Sequence, residues 1–127
     1  MIRGQKQMAK STNRVFQFTG TAKKAQVSPR LWYPAADVYQ TPDGWVVKVE
    51  LAGVTPDEIE IEVKENSLCI SGCRKDRSCT SGVSYQQMEI TYSSFEKVLK
   101  FPASIEGMKI EHVFENGLLI VTLSSKG

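Results

Sequence analysis

The sequence has few of the residues on which catalytic and metal-binding chemistry depends. Its 127 residues include one histidine, His112, and three cysteines. It contains no Gly-rich phosphate loop, no G-x-S-x-G nucleophile elbow and no H-E-x-x-H zinc motif. Cys69, Cys73 and Cys79 match no standard zinc spacing, and their odd number makes a poor disulfide framework. We therefore expect no catalytic residue, no metal and no cofactor. We interpret the cysteines as reduced thiols of a cytoplasmic protein, with redox sensing as the alternative.

Long apolar stretches are also missing. No run approaches the roughly 18 residues that a membrane helix needs, so no membrane association is expected. The basic N-terminus lacks the apolar core of a secretory signal, although it faintly resembles an organellar transit peptide. With 41% hydrophobic and 24% charged residues, the composition is typical of an ordinary globular protein, and the length fits one domain.

Acidic residues are absent from the first thirty positions. Residues 1–30 carry seven bases and therefore a charge of +7, whereas residues 31–127 carry nine bases and fourteen acids, which gives −5. Because residues 1–30 show no sustained hydrophobic period, we predict a disordered basic arm there and a folded domain over residues 31–127. The arm could contact an anionic surface, its own body or a partner's body. It lacks interleaved aromatic residues, so nucleic acid is an unlikely partner.

From Leu31 onward, β-branched and aromatic residues alternate with polar ones, which is typical of strands. Pro42-Asp43-Gly44 and Asn116-Gly117 are turn signals, and the second one lies between two apolar runs, as in a hairpin. Strands are predicted at residues 36–40, 45–51, 59–63, 68–72, 85–92, 95–101, 109–114 and 118–123. The pattern indicates an all-β protein, an immunoglobulin-like antiparallel β-sandwich of seven to nine short strands.

Five sequence pieces occur in an order that is specific as a set. They are Pro34-Ala-Ala-Asp37-Val38-Tyr39, the run from Val46 to Val54, Leu68-Cys-Ile70-Ser-Gly72, the run from Ser94 to Pro102, and Glu115-Asn-Gly-Leu-Leu-Ile-Val121. Together they resemble the α-crystallin domain of small heat-shock proteins over about residues 34–123. The resemblance implies an ATP-independent molecular chaperone, a holdase that binds unfolding client proteins and prevents their aggregation.

The resemblance also implies where clients would bind. It places a groove for a client or a C-terminal tail between the strand of Ile59, Ile61 and Val63 and the strand that carries Val113. In the arm, Phe16 and Phe18 are further candidate client contacts. From the residues alone, the three β-branched side chains of residues 59–63 are equally well explained as core.

A homodimer formed by strand exchange is the third implication, possibly extended to a larger homo-oligomer. A segment with Val83, Tyr85 and Gln87 would pair with the partner's strand, which contains Asp37 and Tyr39. Lys97 stands where the family usually carries an arginine that pairs across the dimer. Lysine keeps the charge but loses the planar two-pronged donor.

The sequence differs from the family pattern at two places, and two alternative functions remain open. His112 occupies a usual alanine position, and no Ile-x-Ile tail follows Leu123, so dimers or small oligomers are expected. The first alternative function is a co-chaperone or adaptor module of related sandwich fold that recognises a folded partner. The second is a nucleic-acid-binding protein that acts through residues 1–30.

Overall fold

The computed structural model describes residues 3–4 and 31–125, and the side chains of residues 31–125. The polypeptide forms a β-sandwich with one short 3-10 turn, Pro56–Glu58. Its strands are β1 (Arg3–Gly4), β2 (Ala36–Thr41), β3 (Gly44–Glu50), β4 (Glu60–Lys64), β5 (Ser67–Cys73), β6 (Ser94–Lys100), β7 (Lys109–Glu115) and β8 (Leu118–Ser124).

Two four-stranded sheets form the sandwich. The first has the order β1-β4-β5-β6, and the second has the order β2-β3-β8-β7. All pairs are antiparallel except that of β1 with β4, which is parallel and joins Arg3 to Glu60 and Gly4 to Ile61. In the described part of the chain, β1 and β6 therefore end the first sheet and β2 and β7 the second, each without a neighbour on one side.

The core lies between the sheets because alternate side chains of the central strands point inward. Val47 and Val49 of β3 and Leu119, Val121 and Leu123 of β8 are fully buried. The opposite sheet contributes a matching set from β5 and from the segments around β4 and β6: Ile59, Ile61, Leu68, Ile70, Phe95 and Phe101. Trp45 and Phe101 meet edge to face across the sandwich, with ring centres 5.2 Å apart.

The β7–β8 hairpin closes as the Asn-Gly signal predicts. Asn116 and Gly117 have φ values of 52° and 79°, and positive φ at both central residues defines the turn that matches strand twist. A Cβ at Gly117 would lie 3.1 Å from the Cβ of Ala52, so the hairpin tip packs tightly against the end of β3. Leu51 N–H donates to the Gly117 carbonyl at 2.8 Å and joins the same two elements.

The predicted all-β sandwich is confirmed, and seven of the predicted strands occur with ends shifted by one residue at most. The strand predicted at 85–92 is wrong, because residues 74–93 form one irregular segment, which we call the long loop. The reason is the absence of a neighbouring strand for it in the described chain, since alternation alone makes no ladder hydrogen bonds. Its apolar side chains Tyr85, Met88 and Ile90 remain exposed.

The described part of the predicted arm is limited to β1. The boundary between arm and domain at residue 30 therefore stays a prediction, as does the disorder of residues 1–30. Within the described residues, no helix has the length and apolarity that crossing a membrane requires.

Candidate functional site

The free edge of β7, and the side of β4 that only the two-residue β1 covers, carry apolar side chains that are partly exposed. Val63 of β4 and Ile110 and Phe114 of β7 pack against the core and are half-buried. Ile110 and Phe114 share the inner face of β7 with His112, since they pair with the buried Leu123 and Leu119 of β8. A segment that lay along these edges would cover the exposed parts of these side chains.

The four predicted groove residues occupy different depths. Ile59 and Ile61 are core residues, 1% and 4% exposed, so a bound segment could contact very little of their side chains. Val63 is half-buried, and Val113 is 45% exposed. Val113 lies on the outer face of β7, opposite Ile120, because its neighbours His112 and Phe114 point inward. Their shared role in a groove stays a prediction.

Ile110 and Phe114 were missed by the sequence-based prediction. Their signal was present, because the alternation in residues 109–114 sets them on the opposite face from Val113. The candidate client contacts Phe16 and Phe18 lie outside the described residues.

The predicted dimer residues fall in three places. Asp37 and Tyr39 lie on the outer face of β2, where they pair with Lys48 and Val46 of β3. The Lys48 Nζ lies 5.4 Å from the centre of the Tyr39 ring, a cation–π contact. The opposite edge of β2 has no strand beside it in the described chain, so its backbone could accept one.

The long loop carries the second group. Val83 and Tyr85 are 53% and 45% exposed, and Gln87 is exposed as well. The Tyr85 hydroxyl donates to Asp76 Oδ2 at 3.1 Å and lies 3.2 Å from Cys79 Sγ. These two hydrogen bonds, that to Cys79 first, raise the pKa of Tyr85 above its usual range.

Lys97 belongs to the edge strand β6. It pairs with the buried Ile70 and is itself half-buried, on the same face of β6 as Phe95 and Leu99. The Lys97 side chain therefore leaves β6 on its core-facing side, at an open sheet edge where a second chain could contact the ammonium group. The cross-dimer contact of Lys97 stays a prediction.

The three cysteines are free thiols in different surroundings. Cys69 lies on the outer face of β5, whereas Cys73 ends that strand and Cys79 belongs to the long loop. Across residues 3–4 and 31–125, no group of three or more His, Cys, Asp or Glu residues could hold a metal ion. The features left for binding are the open strand edges and the exposed apolar side chains of the long loop.

Comparison with known proteins agrees with this architecture. Residues 37–127 match the model of the Hsp20/alpha crystallin family. The chain is 32% identical over 93 residues to small heat shock protein C2 of Rickettsia felis, covering 73% of this chain and 60% of that protein. It is 33% identical over 102 residues to the 22.7 kDa class IV heat shock protein of Pisum sativum, covering 80% and 52%. The chain thus spans little more than half the length of these curated relatives.

Solved structures share the fold. Heat shock protein 16.0 from Schizosaccharomyces pombe superposes with a TM-score of 0.67 at 31% identity, covering 74% of this chain and 87% of that one. The hspA of Xanthomonas axonopodis gives 0.63 at 25% identity, covering 76% and 97%. With the matching family model and the sequence relatives, these structures show that the chain belongs to the Hsp20/alpha-crystallin family, the small heat-shock proteins.

Proposed function

We propose that this chain binds segments of unfolding proteins without ATP and so prevents their aggregation, acting by binding alone and not by catalysis. Family membership supports this role. The three free thiols support a reducing compartment, and we propose the cytoplasm. Binding an unfolded client lowers its free concentration by mass action, and aggregation slows accordingly.

The observation that carries the proposal is the addition of a strand to β4. Arg3–Gly4 pairs in parallel with Glu60 and Ile61, on the side of β4 that faces away from β5. This edge can therefore accept an extended segment through main-chain hydrogen bonds, the recognition mode called β-augmentation. An unfolding protein offers such segments, because its backbone groups and apolar side chains have lost their partners.

The proposed groove combines that edge with side chains at two depths. Ile59 and Ile61 would form its floor, and Val63 and Val113 its accessible walls, beside the half-buried Ile110. Full burial of one Val or Ile side chain contributes about 1.5–3 kcal/mol, so covering the exposed parts of these residues contributes only a few kcal/mol. Such weak binding suits reversible holding, and several sites in one oligomer would raise the avidity. Phe16 and Phe18 would add client contacts from the arm.

A client-protection assay tests the function. A heat-unfolding client is warmed with increasing amounts of this protein, without ATP, and its light scattering is followed at low salt and above about 0.3 M salt. Apolar contacts are not screened by salt, so protection should survive at high salt. Protection lost at high salt would favour an electrostatic partner such as nucleic acid. No protection at any salt, with binding to a native protein instead, would favour an adaptor.

We also propose a homodimer in which each long loop pairs with the partner's β2. The exposure of Val83, Tyr85 and Gln87 and the free edge of β2 support this pairing, since strand addition would cover both. Asp37, Tyr39 and Lys97 would border the contact. Deleting residues 76–84 should convert the dimer to a monomer in sedimentation equilibrium, whereas a dimer of unchanged mass would contradict strand exchange.

A further inference from the structure

Arg74, the first residue of the long loop, holds both ends of that loop. Its backbone N–H donates to the carbonyl of Ser93 at 2.9 Å. Its Nε and Nη2 both donate to the carbonyl of Thr91, at 3.0 and 2.8 Å. Its Nη1 donates to the carbonyl of Ala52, just beyond β3, at 3.0 Å. One side chain therefore ties the start of the loop to its end and to the body of the sandwich.

The same guanidinium group lies over the segment that leads into β2. Its central carbon is 3.8 Å from the centre of the Trp32 ring and 5.9 Å from that of Tyr92. Trp32 in turn meets the buried Phe95 edge to face, with ring centres 5.2 Å apart. The segment of residues 31–35, which we call the strap, continues directly into Ala36, the first residue of β2.

The chemistry of this contact requires arginine. Its Nε, Nη1 and Nη2 all donate to backbone carbonyls, and its flat face covers an indole ring. Partial burial lowers the pKa of Arg74, yet a guanidinium stays protonated at neutral pH. A lysine ammonium has neither the planar fork nor the stacking face, so it can replace only part of the contact.

We propose that Arg74 is a positioning residue for dimer assembly, which fixes the loop that each protomer donates relative to the β2 edge that it offers. This inference rests on the proposed strand-exchanged dimer. The donated segment, Val83 to Gln87, lies between the two loop ends that Arg74 joins, and the accepting strand follows the strap on which Arg74 stacks. In a two-fold dimer, each protomer donates and accepts once, so a shift between loop and strap misplaces both pairings together.

Arg77 supplies a matched control. It lies three positions further along the same loop and also binds the body of the sandwich, through Thr55 and the Glu58 carboxylate. Its ion pair with Glu58 is exposed, however, and exposed pairs contribute little. Its partners Thr55 and Glu58 both lie outside the strap.

The test compares full-length R74Q, R74K and R77Q. Sedimentation equilibrium gives the dimer Kd, and amide hydrogen exchange reports on residues 31–35 and 91–93. In a W45F background, the only remaining tryptophan is Trp32, so its emission reports the stacking directly. We expect R74Q to raise the dimer Kd about tenfold or more, because it removes charge-assisted hydrogen bonds, and R77Q to change it less than about threefold. R74K should lie between them, and only the Arg74 variants should alter Trp32 emission and strap exchange.

Several outcomes would overturn the inference. One is a dimer Kd that is unchanged in R74Q. Another is an equal effect of R77Q, which would indicate a general loss of charge. A third is a loss of unfolding free energy in R74Q that equals its loss of dimerisation free energy, which would indicate a purely structural role. The variant lacking residues 76–84 separates the two proposals. If the deletion abolishes the dimer and R74Q leaves it intact, the result supports strand exchange and contradicts the proposed role of Arg74. If the deletion has no effect, the strand exchange itself fails.

Discussion

The thiol of Cys69 lies 3.5 Å from Oε2 of Glu96 on the outer face of β5. Cys69 shares its row of the sheet with Glu62 on β4 and Val98 on β6. Burial first, and then the charge and hydrogen bond of Glu96 and the charge of Glu62, raise the pKa of Cys69 to about 12. A thiolate would meet carboxylates on both sides here, so this cysteine stays protonated under ordinary conditions.

Cys69 should therefore be the slowest of the three cysteines to react with alkylating reagents. At pH 8, a thiol of pKa about 12 is ionised in only about one molecule in ten thousand. Timed iodoacetamide labelling with peptide mass spectrometry should show Cys79, in the exposed loop, modified at least about tenfold faster than Cys69. E96Q should raise the labelling rate of Cys69 and leave that of Cys79 unchanged. Equal rates at Cys69 and Cys79 would contradict the assigned environment.

Stability should fall in the alkaline range because of the same group. Since the folded state raises the pKa of Cys69 from 9.0 to about 12, folding holds the proton more tightly than the unfolded chain does. This contribution is complete below pH 9 and is lost as the pH rises toward 12. Between pH 8 and pH 10.5, the free energy of unfolding measured in urea should fall less for C69S than for the wild type. An identical loss in both proteins would refute this linkage.

The hairpin turn at Gly117 should tolerate alanine poorly. Gly107 and Gly117 both have positive φ, 87° and 79°, so alanine at either position costs about 1–2 kcal/mol of stability. Only Gly117 also faces a close neighbour, the Cβ of Ala52 at 3.1 Å, whereas nothing lies within 4 Å of a Cβ at Gly107. In urea unfolding, G117A should lose more stability than G107A, by about 1 kcal/mol.

The double variant A52G/G117A provides the control for this contact. Removing the Ala52 methyl should restore the part of the loss that comes from crowding, after allowance for A52G alone. If G117A and G107A lose the same amount, the close approach contributes nothing and the backbone conformation explains the whole effect.

Alternation and turn residues were sufficient to predict the sandwich. The run from Ile59 to Val63 and the Asn116-Gly117 turn describe local geometry that the chain imposes on itself, so strands and hairpins followed directly. The same rule failed at residues 85–92. An alternating segment becomes a strand only beside another strand, and the availability of that neighbour is a tertiary or quaternary property.

The candidate site was predictable only in part. Periodicity identifies the face of a strand but not its depth, so Ile61 and Val63 were indistinguishable although one is buried and the other half-buried. The role of Arg74 had no sequence signal. Its partners at positions 32, 52 and 91 come together only through the fold.

Val63 and Val113 provide a test of the groove without damage to the core. Threonine keeps their β-branched shape and replaces one methyl by a hydroxyl, which stays partly solvated because Val63 is half-buried and Val113 is exposed. V63T and V113T should each reduce client protection at a fixed protein ratio, about two- to fivefold, with changes in unfolding free energy below about 1 kcal/mol. V98T is the control, because Val98 is 50% exposed on β6, an edge strand that is not part of the proposed groove. An equal loss in V98T would argue against a localised groove.

Tyr85 should slow the exchange of subunits between dimers. Its hydroxyl bonds to Asp76 and Cys79 tie the segment proposed for strand exchange to its own loop, so residues 83–87 would have to break them before they reach a partner. Because these hydrogen bonds must break before the segment is released, Y85F should speed the exchange of isotope-labelled subunits, followed by native mass spectrometry, about fivefold. Y33F serves as the control, because Tyr33 is an exposed tyrosine of the strap. Exchange that is unchanged in Y85F, or equally fast in Y33F, would show that the hydroxyl does not hold the loop.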